Sequence, residues 1–325
     1  MKSVFLFCGV LFSWAVLVLP ASPGHAASAD CAFASTPSEA IFAGVQSQTV
    51  TVQCPPGTGG VVSTAHVVRV DLTVKGVSLF TQTAGTPINP QTFLVSTSLQ
   101  PNQNQVAVNA NLFTNCCTYA GPTFTTPLGL AVSKGALWSP IGNFPSGQKS
   151  PPPGDFLSSL IVANGQVSIV TLQKGQKLPA GLTLAVTGSH RILTAATNTA
   201  PHDSSGDWFG PNARTFVGSY KDPNGGQIVA PRVWLVTVDA DQTSAGLTLH
   251  QAADLLQFLG ATDGINLDGG GSSTMLKRAA QGQPVFLNRP KDWPPTGTCQ
   301  VQVQNLHICE RYVAFGFGVA APSLP

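Results

Sequence analysis

The chain is 325 residues long, 43% hydrophobic and only 9% charged, with 33 glycines and 26 prolines, so it has the length and apolar content for one large domain or two ordinary ones and is not simply disordered. Lys+Arg number 16 against 14 Asp+Glu, which leaves no basic excess for a phosphate backbone and no polybasic segment for an anionic membrane, and so excludes nucleic acid as an expected partner. Few charges, many Thr, Gln, Asn and Ser, and frequent Gly/Pro punctuation predict a strand-rich extracellular protein with few helices.

Lys2, the apolar run Val4 to Leu19, Pro20 and the small residues Ala27-Ser28-Ala29 read as a signal peptide over residues 1–29, and no other apolar run is long enough to span a bilayer. The predicted location is therefore secreted or periplasmic. Cys8 leaves with this leader, and Cys31, Cys54, Cys116, Cys117, Cys299 and Cys309 form an even set in an exported chain, for which disulfides are the default. Short loops favour Cys31 with Cys54 and Cys299 with Cys309. The adjacent Cys116 and Cys117 are left over, and they lack the C-x-x-C or neighbouring His of a zinc site.

Residues 30–62 read as an N-terminal arm held by its cysteines, and residues 63–321 as the main domain. Alternation predicts strands from His66 to Val74, Gln105 to Phe113, Leu128 to Val132, Ser159 to Val162, Val167 to Leu172, Leu182 to Val186 and Val233 to Val238, which places Asn109 and Asn111 on one strand face. Polar, Pro- and Gly-rich segments at Ser146–Asp155 and Thr197–Gly210 read as loops able to act as lids. The clearest helix is Leu249 to about Leu259, opened by a Thr248/Gln251 capping box and closed by Gly260, with Leu249, Ala252, Ala253, Leu256 and Leu259 as its core stripe. The resulting fold class is α+β, with strand-rich mixed sheets and few helices.

The strongest local signal is Gly264-Ile-Asn266-Leu-Asp268-Gly269-Gly270-Gly271-Ser272-Ser273. An apolar strand delivers an acid to three glycines whose amides can approach an anion unhindered by Cβ atoms, and two hydroxyls follow. It matches neither the P-loop nor the dinucleotide-binding pattern. Preceded by the Leu249 helix, this segment resembles the end of the phosphodiester glycosidase family. Asn212-Ala-Arg214-Thr, Val233 to Asp239, Gly246-Leu-Thr-Leu, Val108-Asn109-Ala-Asn111-Leu-Phe113 and Pro127 to Gly135 are similar to further family segments, and Cys299 and Cys309 followed by Glu310-Arg311 resemble its disulfide-and-strand close. The likeness covers roughly residues 66–320. Asn111 and Ala240 depart from it where the family has glycine.

The resemblance implies a hydrolase acting on a sugar phosphodiester or related glycan. Such chemistry needs a cation for the departing phosphate, a carboxylate near the oxocarbenium-like centre, and donors that hold the sugar. With Glu39 and Glu310 the only glutamates, the carboxylates are expected to be Asp268 and Asp239, with Arg214 as the cation. Asn109, Asn111, Gly269, Gly270, Gly271, Ser272 and Ser273 are expected to bind substrate. His66 and His190 read as strand residues that could protonate a leaving group. No metal is required; a divalent cation shared by Asp239 and Asp268 is the one metal reading considered. Competing readings are an exopolysaccharide-processing glycosidase working on non-phosphorylated glycans, and a non-catalytic glycan-binding envelope protein.

Overall fold

Near-continuous runs of Val, Leu, Trp and Phe, as in Arg232–Val238, make strands with two apolar faces, and such strands must be covered on both sides. In the computed structural model, which describes residues 30–55, 60–99, 104–117, 121–144, 156–220, 232–241, 243–290 and 309–324, the cover comes from two smaller sheets on one side and a helix on the other. The predicted leader, the whole Ser146–Asp155 loop and Cys299 lie outside the described residues.

The large sheet has nine strands. Its order runs Ala32–Ser35, Val45–Cys54, Val61–Asp71, Arg232–Val238, Arg214–Tyr220, Asp263–Asn266, His190–Thr194 and Thr197–Asn198, with Glu39–Phe42 added beside Val45–Cys54. Residues of the N-terminal arm thus form three strands of the main sheet. A five-stranded sheet contains Ala136–Ser139, Ala131–Ser133, Leu182–Thr187, Ser158–Ala163 and Gln166–Thr171, and a second contains Pro284–Phe286, Met275–Arg278, Val106–Asn109, Gly316–Ala320 and Ser78–Gln82. The strand-rich character with few helices is as expected. The described strand pairings are antiparallel throughout, which corrects the expectation of mixed sheets. Parallel pairs need long, usually helical crossovers, and the described residues hold a single helix of more than four residues.

Strand parity sorts the core. Val68, Val70, Val217, Leu235, Ile265 and Leu267 face the two smaller sheets, where they meet Val106, Val108, Leu160 and Val186. Ala65, Val67, Phe216, Trp234, Val236 and Val238 face the helix Leu249–Phe258 and pack against Leu249, Ala252, Ala253 and Leu256. That helix begins as predicted: the Thr248 hydroxyl accepts from the Gln251 amide, and the Gln251 side chain accepts from the Thr248 amide. Among the described residues no helix is long and apolar enough to cross a membrane.

Of the predicted disulfides, Cys31–Cys54 is present and Cys116 and Cys117 are joined to each other, while Cys309 is disulfide-bonded. The Gln105-to-Phe113 strand is shorter than predicted and stops at Asn109, because Ala110 and the residues after it leave the ladder to meet the Asp268 turn and the Pro127 segment.

Candidate active site

The glycine-rich turn is built by its own sequence and then clamped from outside. The strand Asp263–Asn266 ends, Gly270 takes a φ of +60°, and Gly270–Ser272 form a single tight turn. A Cβ on Gly269 would lie 2.9 Å from the Ala213 carbonyl, so a side chain there would displace backbone. At Gly270, by contrast, the Cβ direction opens into empty space. The Asp268 amide donates to the Ala110 carbonyl at 2.8 Å, and the Gly270 amide donates to Ala213 at 2.8 Å.

Asn109 is the keystone of this clamp. Fully buried, it donates through Nδ2 to the Asp268 carbonyl at 2.7 Å, while its Oδ1 accepts from the Thr215 hydroxyl at 2.7 Å and the Thr274 amide at 3.1 Å. All of its partners are protein groups, so it holds the turn from behind. Asn111 is likewise enclosed. It donates to the carbonyls of Leu128 and Leu130 at 2.9 and 3.2 Å and accepts from the Thr187 amide at 3.2 Å, joining the smaller sheets. The structure therefore gives both asparagines structural partners where the sequence reading had them touching substrate.

Asp268 itself stands at the front. Its carboxylate accepts from the Gly269 amide at 3.0 Å and is hydrogen-bonded by Ser272. The side chain keeps partial solvent access, yet the surrounding protein is dense enough that desolvation pushes its pKa up to about 6 against the opposing pull of Ser272, Arg311 and Gly269. The cation acting on Asp268 is thus Arg311. One Arg311 nitrogen lies 3.5 Å from the Ser272 hydroxyl and 3.9 Å from the Cys116 sulfur, so the charge sits between the turn and the exposed Cys116–Cys117 pair. Ser273 is fully buried behind the turn, its carbonyl accepting from Asn288 Nδ2 at 3.0 Å.

Arg214 is placed differently from the expectation. It sits opposite Val238 in the sheet, on the helix-facing side, and it is buried. Its guanidinium donates to the carbonyls of Leu247 at 3.0 Å and Gly210 at 2.7 Å, and desolvation lowers its pKa to about 10. Its backbone borders Gly269, but its charge is spent on tying the helix entry to the 210 turn. Asp239 is also engaged: Oδ2 lies 2.8 Å from His66 Nε2, and Oδ1 accepts from the Arg289 amide at 2.9 Å. It reaches the turn only through neighbours, since Asn288 next to Arg289 bonds Ser273 and Met275. Each carboxylate oxygen of Asp239 thus has a protein partner. His190 contacts the Ser189 hydroxyl at 3.1 Å and sets its ring edge-on to Phe209.

The structure thus gathers Asp268, Gly269, Gly270, Gly271 and Ser272 in one turn, with Asp268, Gly269 and Gly270 partly exposed and Gly271 and Ser272 buried, supports it with Asn109 and Ser273, and adds Arg311, which sequence reasoning missed. The signal available was the scarcity of charge together with Glu310-Arg311 directly after Cys309. An acid at the front of a rigid turn, with a hydroxyl and a guanidinium beside it, is suited to proton transfer beside a developing anion.

Comparison with known proteins identifies the family and the fold. The family model of the phosphodiester glycosidases matches residues 102–320, more than half of the chain. The zebrafish N-acetylglucosamine-1-phosphodiester alpha-N-acetylglucosaminidase catalytic domain, auto-inhibited by its pro-peptide, superposes with a TM-score of 0.55 at 17% identity, over 89% of this chain and 88% of that one. A Burkholderia pseudomallei protein described as exported gives a TM-score of 0.56 at 13% identity, over 92% and 99%. A Synechocystis protein gives 0.53 at 18%, over 86% of this chain and 62% of that one. At such identities the likeness is one of fold. No curated protein matches the sequence.

Proposed function

Because the chain belongs to the phosphodiester glycosidase family, we propose that it is an exported hydrolase that cleaves the glycosidic C–O bond of a sugar-1-phosphodiester or a closely related glycan. The observation that carries the reading is the Asp268 carboxyl, pushed up to about 6 on a clamped glycine turn and flanked by Ser272 and Arg311.

In this reading water attacks the anomeric carbon, the C–O bond to phosphate breaks, and its electron pair leaves on the phosphate oxygen. Asp268 in its ionised form takes the proton from the attacking water. A base with a pKa near the working pH combines a populated active form with useful basicity. Arg311 takes up the charge of the departing phosphomonoester, with the Ser272 hydroxyl holding the Asp268 carboxyl, in a partly dehydrated site where a preorganised donor acts best. Arg214, Asn109 and Asp239 are positioning residues for the turn and its flanks.

Hydrolysis of a panel of sugar-1-phosphodiesters and aryl glycosides by the purified protein tests this. Turnover of the phosphodiesters alone is expected. Turnover of aryl glycosides would show that the site takes ordinary glycosidic bonds, and saturable glycan binding without product release would replace the hydrolase with a binding module.

A further inference from the structure

Outside the active site, three metal-ligating side chains converge where the chain's first described residue meets the long helix. Asp30, His250 and Asp254 each present one ligand-capable atom, and these atoms lie within 4.8 Å of one another. His250 Nε2 is 3.7 Å from Asp30 Oδ2 and 4.0 Å from Asp254 Oδ2, too far for hydrogen bonds to either. The other ring nitrogen, Nδ1, is buried with no hydrogen-bond partner. A mostly buried imidazole thus faces two carboxylates at ion-pair distance through Nε2, an arrangement held by a proton on the ring or by a metal ion in that proton's place.

The surroundings hold the groups in that pose. Asn198 Nδ2 donates to Asp254 Oδ1 at 2.7 Å and to the His250 carbonyl at 3.0 Å, which turns Asp254 Oδ2 towards the imidazole in the manner of an outer-shell partner. The His202 ring lies against the His250 ring with centroids 3.9 Å apart, limiting its rotation. A tetrahedral ion with bonds of roughly 2.0–2.2 Å separates its ligands by about 3.3–3.6 Å, so the present spacings, which reach up to 4.8 Å, need to close by at most about 1.5 Å. The Asp30 side chain, 64% exposed, has room to make that movement.

We propose that Asp30, His250 and Asp254 form a binding site for one divalent transition-metal ion of the zinc type, with water completing the shell. Carboxylates alone would favour calcium or magnesium; the imidazole shifts the preference towards zinc. The ion would clamp the segment beginning at Asp30, next to the Cys31–Cys54 disulfide, onto the first turns of the helix Leu249–Phe258. The site is separate from the Asp268 turn, and the proposal does not rest on the hydrolase reading.

The test is isothermal titration of chelator-stripped, untagged protein with Zn2+, with a thermal melt of the loaded and stripped forms. One saturable equivalent and a higher Tm when loaded are expected, both abolished in His250→Ala. Asp30→Asn, at an exposed side chain that the fold does not need, is expected to weaken binding by at least the ~10–100-fold that loss of an outer-shell partner causes. Should His250→Ala fail to fold, Asp30→Asn decides the matter. Absence of a saturable equivalent, or an equivalent bound with unchanged affinity by either folded variant, overturns the proposal.

Discussion

Replacing Asp268 by asparagine separates what the residue does for stability from what it does for chemistry. Desolvation lifts its carboxyl from 3.8 to about 6, so the folded chain holds this proton more tightly than the unfolded chain. The associated stability is fully present below pH 3.8 and is lost as the pH rises through about 6; above that, ionised Asp268 costs the fold about 3 kcal/mol, at 1.36 kcal/mol per pKa unit. Asparagine keeps an oxygen for the Gly269 amide and carries no charge to desolvate. At pH 7.5 the Asp268→Asn variant should therefore be more stable than the parent by up to about 3 kcal/mol, seen as a Tm higher by about 6 °C, and at pH 3.5 the difference should vanish. Glu310, whose burial pushes it up to about 7, titrates in both proteins and cancels in the comparison. Hydrolysis should meanwhile fall by about 10²–10⁴-fold, the usual contribution of a general base. Paired melts across that pH range, with rates on the same samples, make the check. A variant that is no more stable at pH 7.5, or equally favoured at both pH values, would refute the desolvation argument; retained turnover would refute the base.

Arg311→Ala removes a charge that favours ionised Asp268, so the acidic limb of the kcat/KM profile, expected near pH 6, should move to higher pH as well as losing rate; a limb that stays put would remove Arg311 from the site. Arg214→Ala leaves the Gly210 and Leu247 carbonyls without their charged donor, which predicts a loss of about 2–4 kcal/mol in urea unfolding and an unchanged position of that acidic limb; a large KM increase with full stability would instead return Arg214 to the substrate.

Much of this protein is legible from near neighbours in the sequence. The helix is written in a capping box and a 3.6-residue stripe, the strands in alternation, and the Asp268 turn in three glycines and its flanking hydroxyls, because each depends on interactions across a few residues. The family resemblance likewise rests on short segments that can be read in order. What stayed hidden depends on which way a side chain faces once distant strands pair. Arg214 looked like the phosphate cation, but its register opposite Val238 turns it towards the helix, where backbone carbonyls take its charge. Asn109 and Asn111 looked like donors to a sugar, but three sheets close around them and use every bond they make inside the protein. Arg311 enters the site from a segment 43 residues beyond Asp268, and His250 meets Asp30 only because the helix crosses the start of the chain. The sequence by itself determined the helix, many of the strands and the turn that carries the acid, but not the three strands of the N-terminal arm. Only the tertiary structure decided which charges face that acid, because strand side chains alternate sides every residue and long-range register chooses the side.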